Sequence, residues 1–143
     1  MIECKFCSVL VAPDLAVALP NLILKTDTVV TVLNRRPVAP DNVTLIRKAH
    51  RPQTSGFVDA DLAGLATLAG RLGVGLERRF RSTRVILLGD GKPGAHLHLH
   101  LIPEPAGTPV SLADAVADLN QAVRPATLTG TDLASLLPEL RWA

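Results

Sequence analysis

The sequence predicts an α+β domain in which an antiparallel sheet of about five strands packs with one long helix, followed by two C-terminal helices. Three observations carry this. The chain has β-branched runs in its first third, a leucine stripe at helical spacing near its middle, and two further apolar runs directly after that stripe. Its 143 residues suit one domain spanning 1–143, and 48% hydrophobic residues against 20% charged ones supply a packed core.

Residues 22–34 are rich in Val, Ile, Leu and Thr and are interrupted at Thr26-Asp27, which predicts a hairpin. Pro37 and Pro40 mark a loop, and residues 43–47 read as the next strand. A helix capped near Asp59 follows, with Leu62, Leu65, Ala69, Leu72 and Leu76 on one stripe. Its glycines, Gly64, Gly70, Gly73 and Gly75, oppose that reading at about 1 kcal/mol each relative to Ala. Residues 85–88 form a short buried strand, 89–94 a tight loop, and 95–102 a strand that Pro103 is expected to stop. Residues 111–123 and 132–141 complete the chain as helices.

Composition excludes several classes. Lys and Arg number 15 and Asp and Glu 13, a net charge of +2, too small for a surface that binds nucleic acid through bulk charge. Aromatic residues are 3% of the chain, with no Tyr, which argues against base-stacking platforms. Apolar runs break well before the ~18 residues that a membrane span needs. No basic segment followed by an apolar one opens the sequence, and two cysteines three residues apart form no disulfide framework. The expectation is a soluble cytoplasmic protein. Arg78, Arg79, Arg81 and Arg84 read as a solvated face near a helix end, and nothing assigns a role to Trp142.

Three of the four histidines lie in His96-Leu97-His98-Leu99-His100-Leu101-Ile102-Pro103. On a strand, successive side chains alternate, so the imidazoles share one face and the leucines back them from the other. At a rise of ~3.3 Å per residue, His96 and His100 stand about 13 Å apart at Cα, too far to converge on one ion without bending the strand. The ends of the row therefore do different jobs, and the middle ring is left for chemistry. Just before it, Gly91 and Lys92 lie in Gly89-Asp90-Gly91-Lys92-Pro93-Gly94, where glycines turn backbone N–H groups toward an anion and Lys92 adds a charge. The plainer alternative is an ordinary hairpin loop. Cys4 and Cys7 have the spacing to place two thiolates on one metal ion, and also suit a redox pair or two buried thiols.

The histidine segment resembles the H-φ-H-φ-H-φ-φ signature of the histidine triad family of nucleotide hydrolases and transferases. Cys4-Lys5-Phe6-Cys7 resembles the C-x-F-C opening of many members, residues 37–50 resemble the segment ending in V-I-P-K-x-H, and residues 22–34 resemble the hairpin before it. The similarity covers roughly residues 1–104. It implies the histidine triad fold, a homodimer pairing through the 58–80 helix and adjacent strands, and a reaction at the α-phosphate of a nucleotide through a nucleotidyl-histidine. By position, His98 is the implied nucleophile, and His100 the implied donor or acid that binds a phosphate oxygen or the scissile bridging atom. Cys4, Cys7, His50 and His96 match the ligands of a structural zinc, whose closed shell leaves no place for water.

The chain also departs from the family pattern. Asn34 stands where an acidic residue usually holds the ribose, Asp41-Asn42 replaces Gly-His, and Lys92 and Pro93 replace the amide and hydroxyl that touch phosphate. These departures leave a second reading: a non-catalytic nucleotide-binding or zinc-stabilised partner module of the same fold. A third, a cupin-like metalloenzyme, rests on the spacing of His98, His100 and Glu104, but no later histidine supplies a second motif.

Overall fold

The computed structural model describes residues 4–34, 42–50, 59–81, 84–88, 96–104, 106–107 and 109–111. Two short helices, α1 (Lys5–Leu10) and α2 (Leu15–Ala18), precede strands β1 (Leu22–Lys25), β2 (Val29–Leu33) and β3 (Val43–Arg47). Helix α3 (Asp59–Phe80) leads to β4 (Arg84–Leu88) and β5 (His98–Glu104). All four strand pairings are antiparallel, in the order β1-β2-β3-β5-β4. The α+β class, the five strands and the long helix are as the sequence predicts.

The β1–β2 hairpin turns where expected, because the Thr26 side chain accepts from the backbone N–H groups of Thr28 and Val29 and closes the turn locally. β2 and β3 lie in the middle of the sheet and are buried along their whole length. One face packs Ile23, Val29, Leu33, Val43, Leu45, Leu97 and Leu101 against Leu65, Leu68, Ala69, Leu72 and Leu76 of α3. Leu68 belongs to the stripe although its spacing was not singled out, and Leu62 lies in α3 with its side chain outside the described residues. On the other face, Val30, Val32 and Ile46 are covered by Phe6, Leu10, Leu15, Leu19 and Leu22. Among the described residues, no helix is long and apolar enough to cross a membrane.

Two expectations need correction. The strand predicted at 95–102 begins at His98 and continues to Glu104, so Pro103 does not stop it. β3 pairs with β5 only as far as Leu101, and beyond that point β5 has β4 alone as a neighbour. There a residue without an N–H is tolerated, as on any sheet edge. At the other end, His96 makes an isolated bridge ahead of the regular strand. Helices α1 and α2 were not anticipated. Each is a turn or two long and held by a side-chain cap: Cys4 Sγ accepts from Cys7 N–H, and Asp14 accepts from the N–H groups of Ala16 and Val17. The loops at 35–41 and 89–95 and the C-terminal helices expected at 111–123 and 132–141 fall outside the described residues, apart from Ser111, which is in neither helix nor strand.

Candidate functional site

The candidate site residues lie on the face of the sheet opposite α3. Alternation along residues 97–101 sends Leu97 and Leu101 into the α3 core, with Leu99 packed against it, and leaves His98 and His100 on the other side. In the β3–β5 register, His98 stands opposite Ile46 and His100 opposite Thr44. By alternation from Val32 of β2 and Thr44 of β3, Asn34 and Asn42 fall on the same side, and their backbones are joined by a 2.7 Å bond from the Asn34 N–H to the Asn42 carbonyl.

At one end of this face Cys4, Cys7, His50 and His96 converge. Their four ligand atoms lie within 4.8 Å of one another. The His50 and His96 Nδ1 atoms are 3.2 Å apart, and thiol–imidazole separations run from 3.3 to 3.5 Å. A tetrahedral ion with zinc–nitrogen and zinc–sulfur bonds of ~2.05 and ~2.3 Å has edges of about 3.3 Å between nitrogens and about 3.6 Å between nitrogen and sulfur. The separations match those edges, and a two-thiolate, two-imidazole set suits zinc. The four residues therefore fit the metal.

The cluster is held from three directions. Cys4 caps α1 and Cys7 sits in its first turn; His50 follows β3. His96 is fixed by the end of β3, where its Nε2–H donates to the Arg47 carbonyl while the Arg47 N–H donates to Leu97 O at 3.1 Å. A carbonyl only accepts, so the proton is on Nε2 and the Nδ1 lone pair faces the thiols. Burial pushes the His96 pKa below the ordinary 6.5, partly offset by the bond to Arg47, and favours the neutral, metal-binding ring. Desolvation, with the adjacent Cys4 sulfur adding to it, pushes the Cys7 thiol up, so that losing its proton depends on a nearby cation.

Beside the cluster, His98 is buried and its Nδ1–H donates to the His96 carbonyl at 2.7 Å. By the same logic the His98 lone pair is on Nε2. The rings of His98 and His100 meet edge-on, 5.1 Å between centroids and 81° between planes. Phe6 packs on both His96 and His98, at 5.6 and 5.0 Å. It is the wedge between the cysteine cluster and the buried imidazole. Thr44 Oγ1 lies 3.1 Å from His100 Nδ1.

The structure thus brings together all four expected metal ligands and places His98, His100 and Asn34 on one face. Gly91 and Lys92 lie outside the described residues. Sequence reasoning missed Phe6 and Thr44. Phe6 was visible as the aromatic residue between the cysteines; Thr44 carried no such signal, because its partner is set by the pairing of β3 with β5. Asn42 is buried, and among the described residues its side-chain oxygen has no hydrogen-bond partner.

The family described as HIT domain matches residues 17–107. The fold is similar to that of a hypothetical histidine triad nucleotide-binding protein from Sulfolobus tokodaii, with a TM-score of 0.69, 22% identity, and coverage of 97% of this chain and 90% of that one. A zinc-bound histidine triad family protein from Mycobacterium smegmatis matches with a TM-score of 0.65 and 19% identity over 97% of this chain and 96% of that one. The diadenosine triphosphate hydrolase of Plasmodium falciparum matches at 0.57 and 13% identity, covering 85% and 78%.

Proposed function

Because the chain belongs to the HIT, or histidine triad, family, we propose that it hydrolyses or transfers a nucleotidyl group, with His98 as the nucleophile. The substrate class is a nucleoside phosphoramidate, phosphoester or dinucleoside polyphosphate. The observation that carries this reading is the bond from His98 Nδ1–H to the His96 carbonyl, which leaves the Nε2 lone pair as the reactive one. A neutral imidazole is a competent nucleophile near pH 7. As Nε2 bonds to the α-phosphorus, the bond to the leaving group breaks, and the leaving atom takes its electron pair and a proton from solvent. Water then attacks the same phosphorus, the phosphorus–nitrogen bond breaks with its pair returning to Nε2, and the water's proton passes to solvent, which releases the nucleotide and restores neutral His98. His100 donates a hydrogen bond to a phosphate oxygen as charge develops there. Gly91 N–H and the Lys92 ammonium serve the phosphate, and Asn34 serves the sugar.

Zinc held by Cys4, Cys7, His50 and His96 supplies a structural cross-link, since four protein ligands leave no open position. The protein acts as a single-domain homodimer in the cytoplasm. One observation favours the non-catalytic nucleotide-binding alternative: Asn42, not histidine, occupies the position next to the triad on the same face. His98→Asn separates the two. On the catalytic reading it lowers turnover by a thousandfold or so while AMP binding by calorimetry and zinc content persist. His100→Asn, which removes one donor, costs about a hundredfold. Wild-type protein that binds AMP yet turns over no nucleotide would establish the binding module instead.

A further inference from the structure

Thr44 and His100 face each other across the β3–β5 ladder, and the Thr44 side chain is 5% exposed. Its Oγ1 lies 3.1 Å from His100 Nδ1, a hydrogen bond that either partner is able to donate. The hydroxyl proton decides the direction. Among the described residues, His100 Nδ1 is the one hydrogen-bond partner of Thr44 Oγ1. If the ring donated instead, a buried hydroxyl proton would be left without an acceptor, which buried polar groups rarely tolerate. The stiff χ1 of a β-branched residue on a strand holds the oxygen in place.

We propose that Thr44 is the positioning residue for His100: its O–H donates to Nδ1 and holds the neutral ring in the Nε2–H tautomer. His98 is fixed the opposite way, with its proton on Nδ1 and bonded to the His96 carbonyl. Two imidazoles 5.1 Å apart are thus set in complementary states by different partners. One presents a lone pair at Nε2, the other an N–H. An attack on phosphorus beside an anionic oxygen needs both at once. Neither ring has to be charged, and no proton leaves His100 when its N–H hydrogen-bonds the phosphate. The catalytic consequence rests on the nucleotidyl-transfer reading above; the tautomer assignment does not.

The test is a two-bond proton–nitrogen correlation spectrum of the zinc-loaded, histidine-labelled full chain. The expected result is an Nε2–H pattern for His100 and an Nδ1–H pattern for His98. Thr44→Val removes the hydroxyl while keeping a β-branched residue, and should mix the His100 tautomers with His98 unchanged; Thr44→Ser should restore the wild-type pattern. With adenosine 5′-phosphoramidate as probe, Thr44→Val lowers kcat about 10-fold with little change in KM, and Thr44→Ser recovers most of it. A wild-type His100 protonated on Nδ1 overturns the proposal, as does a Thr44→Val spectrum identical to wild type. Should Thr44→Val fail to fold, the wild-type spectrum decides alone. The expected tautomers without any turnover would uphold Thr44's role and overturn the nucleotidyl-transfer reading.

Discussion

At the scale of single residues, the site works by deciding where protons sit. Two backbone carbonyls, those of Arg47 and His96, fix the tautomers of His96 and His98. The first choice has a consequence for stability. The buried His96 ring takes up a proton less readily than the ordinary 6.5, so in the zinc-free protein the unfolded chain binds more protons just below that pH. Stability is full above pH 6.5 and is lost as pH falls through the window beneath it. Urea midpoints of chelator-treated protein at pH 7.5 and 5.5 check this, and a midpoint unchanged or higher at pH 5.5 contradicts it. A second residue-scale prediction concerns Thr31, which is fully buried and whose hydroxyl has no hydrogen-bond partner among the described residues. Thr31→Val should raise stability by about 1 kcal/mol, because the near-isosteric methyl removes an unsatisfied polar group.

Secondary-structure elements divide into those written locally and those made by contact. The hairpin, β3, β4 and α3 were legible because β-branched runs and a leucine stripe are local signals. Helices α1 and α2 were not, because residues such as Phe6, Leu10 and Leu15 acquire their purpose only by covering Val30, Val32 and Ile46. Pro103 misled for a similar reason: whether it ends a strand depends on how far β3 extends beside it. Cys4 and Cys7 were readable as a pair from their spacing, but His50 and His96 joined them only through family resemblance, since Cys4 and His96 are 92 residues apart and no spacing rule joins them. Thr44 was hidden by register, as no pattern in a strand's own sequence names its neighbour. The glycines of α3 lead to a further prediction. A Cβ on Gly70 meets nothing within 4 Å, so Gly70→Ala should stabilise by about 1 kcal/mol in thermal or urea melts. A loss of stability there would mean that this surface of the helix packs closely against a second copy.

For the whole molecule, the cysteine–histidine cluster ties the N-terminal helix, the end of β3 and the lead-in to β5 into one unit. Chelation should therefore lower the melting temperature, and restoring zinc to a hundredfold over its Kd should return about 3 kcal/mol. Activity should decline only with this loss of order; complete, reversible loss of activity at unchanged melting would make the metal catalytic. The same cluster includes His96, whose carbonyl in turn holds His98, so that on the proposed function the metal site sets up the nucleophile. The most direct test of that account is acid- and base-quenched mass analysis of wild-type protein mixed with a labelled nucleoside phosphoramidate. The account predicts a nucleotidyl adduct, acid-labile and base-stable, mapping to His98 and absent in His98→Asn. An adduct on any other residue, or turnover that persists in His98→Asn, would contradict it.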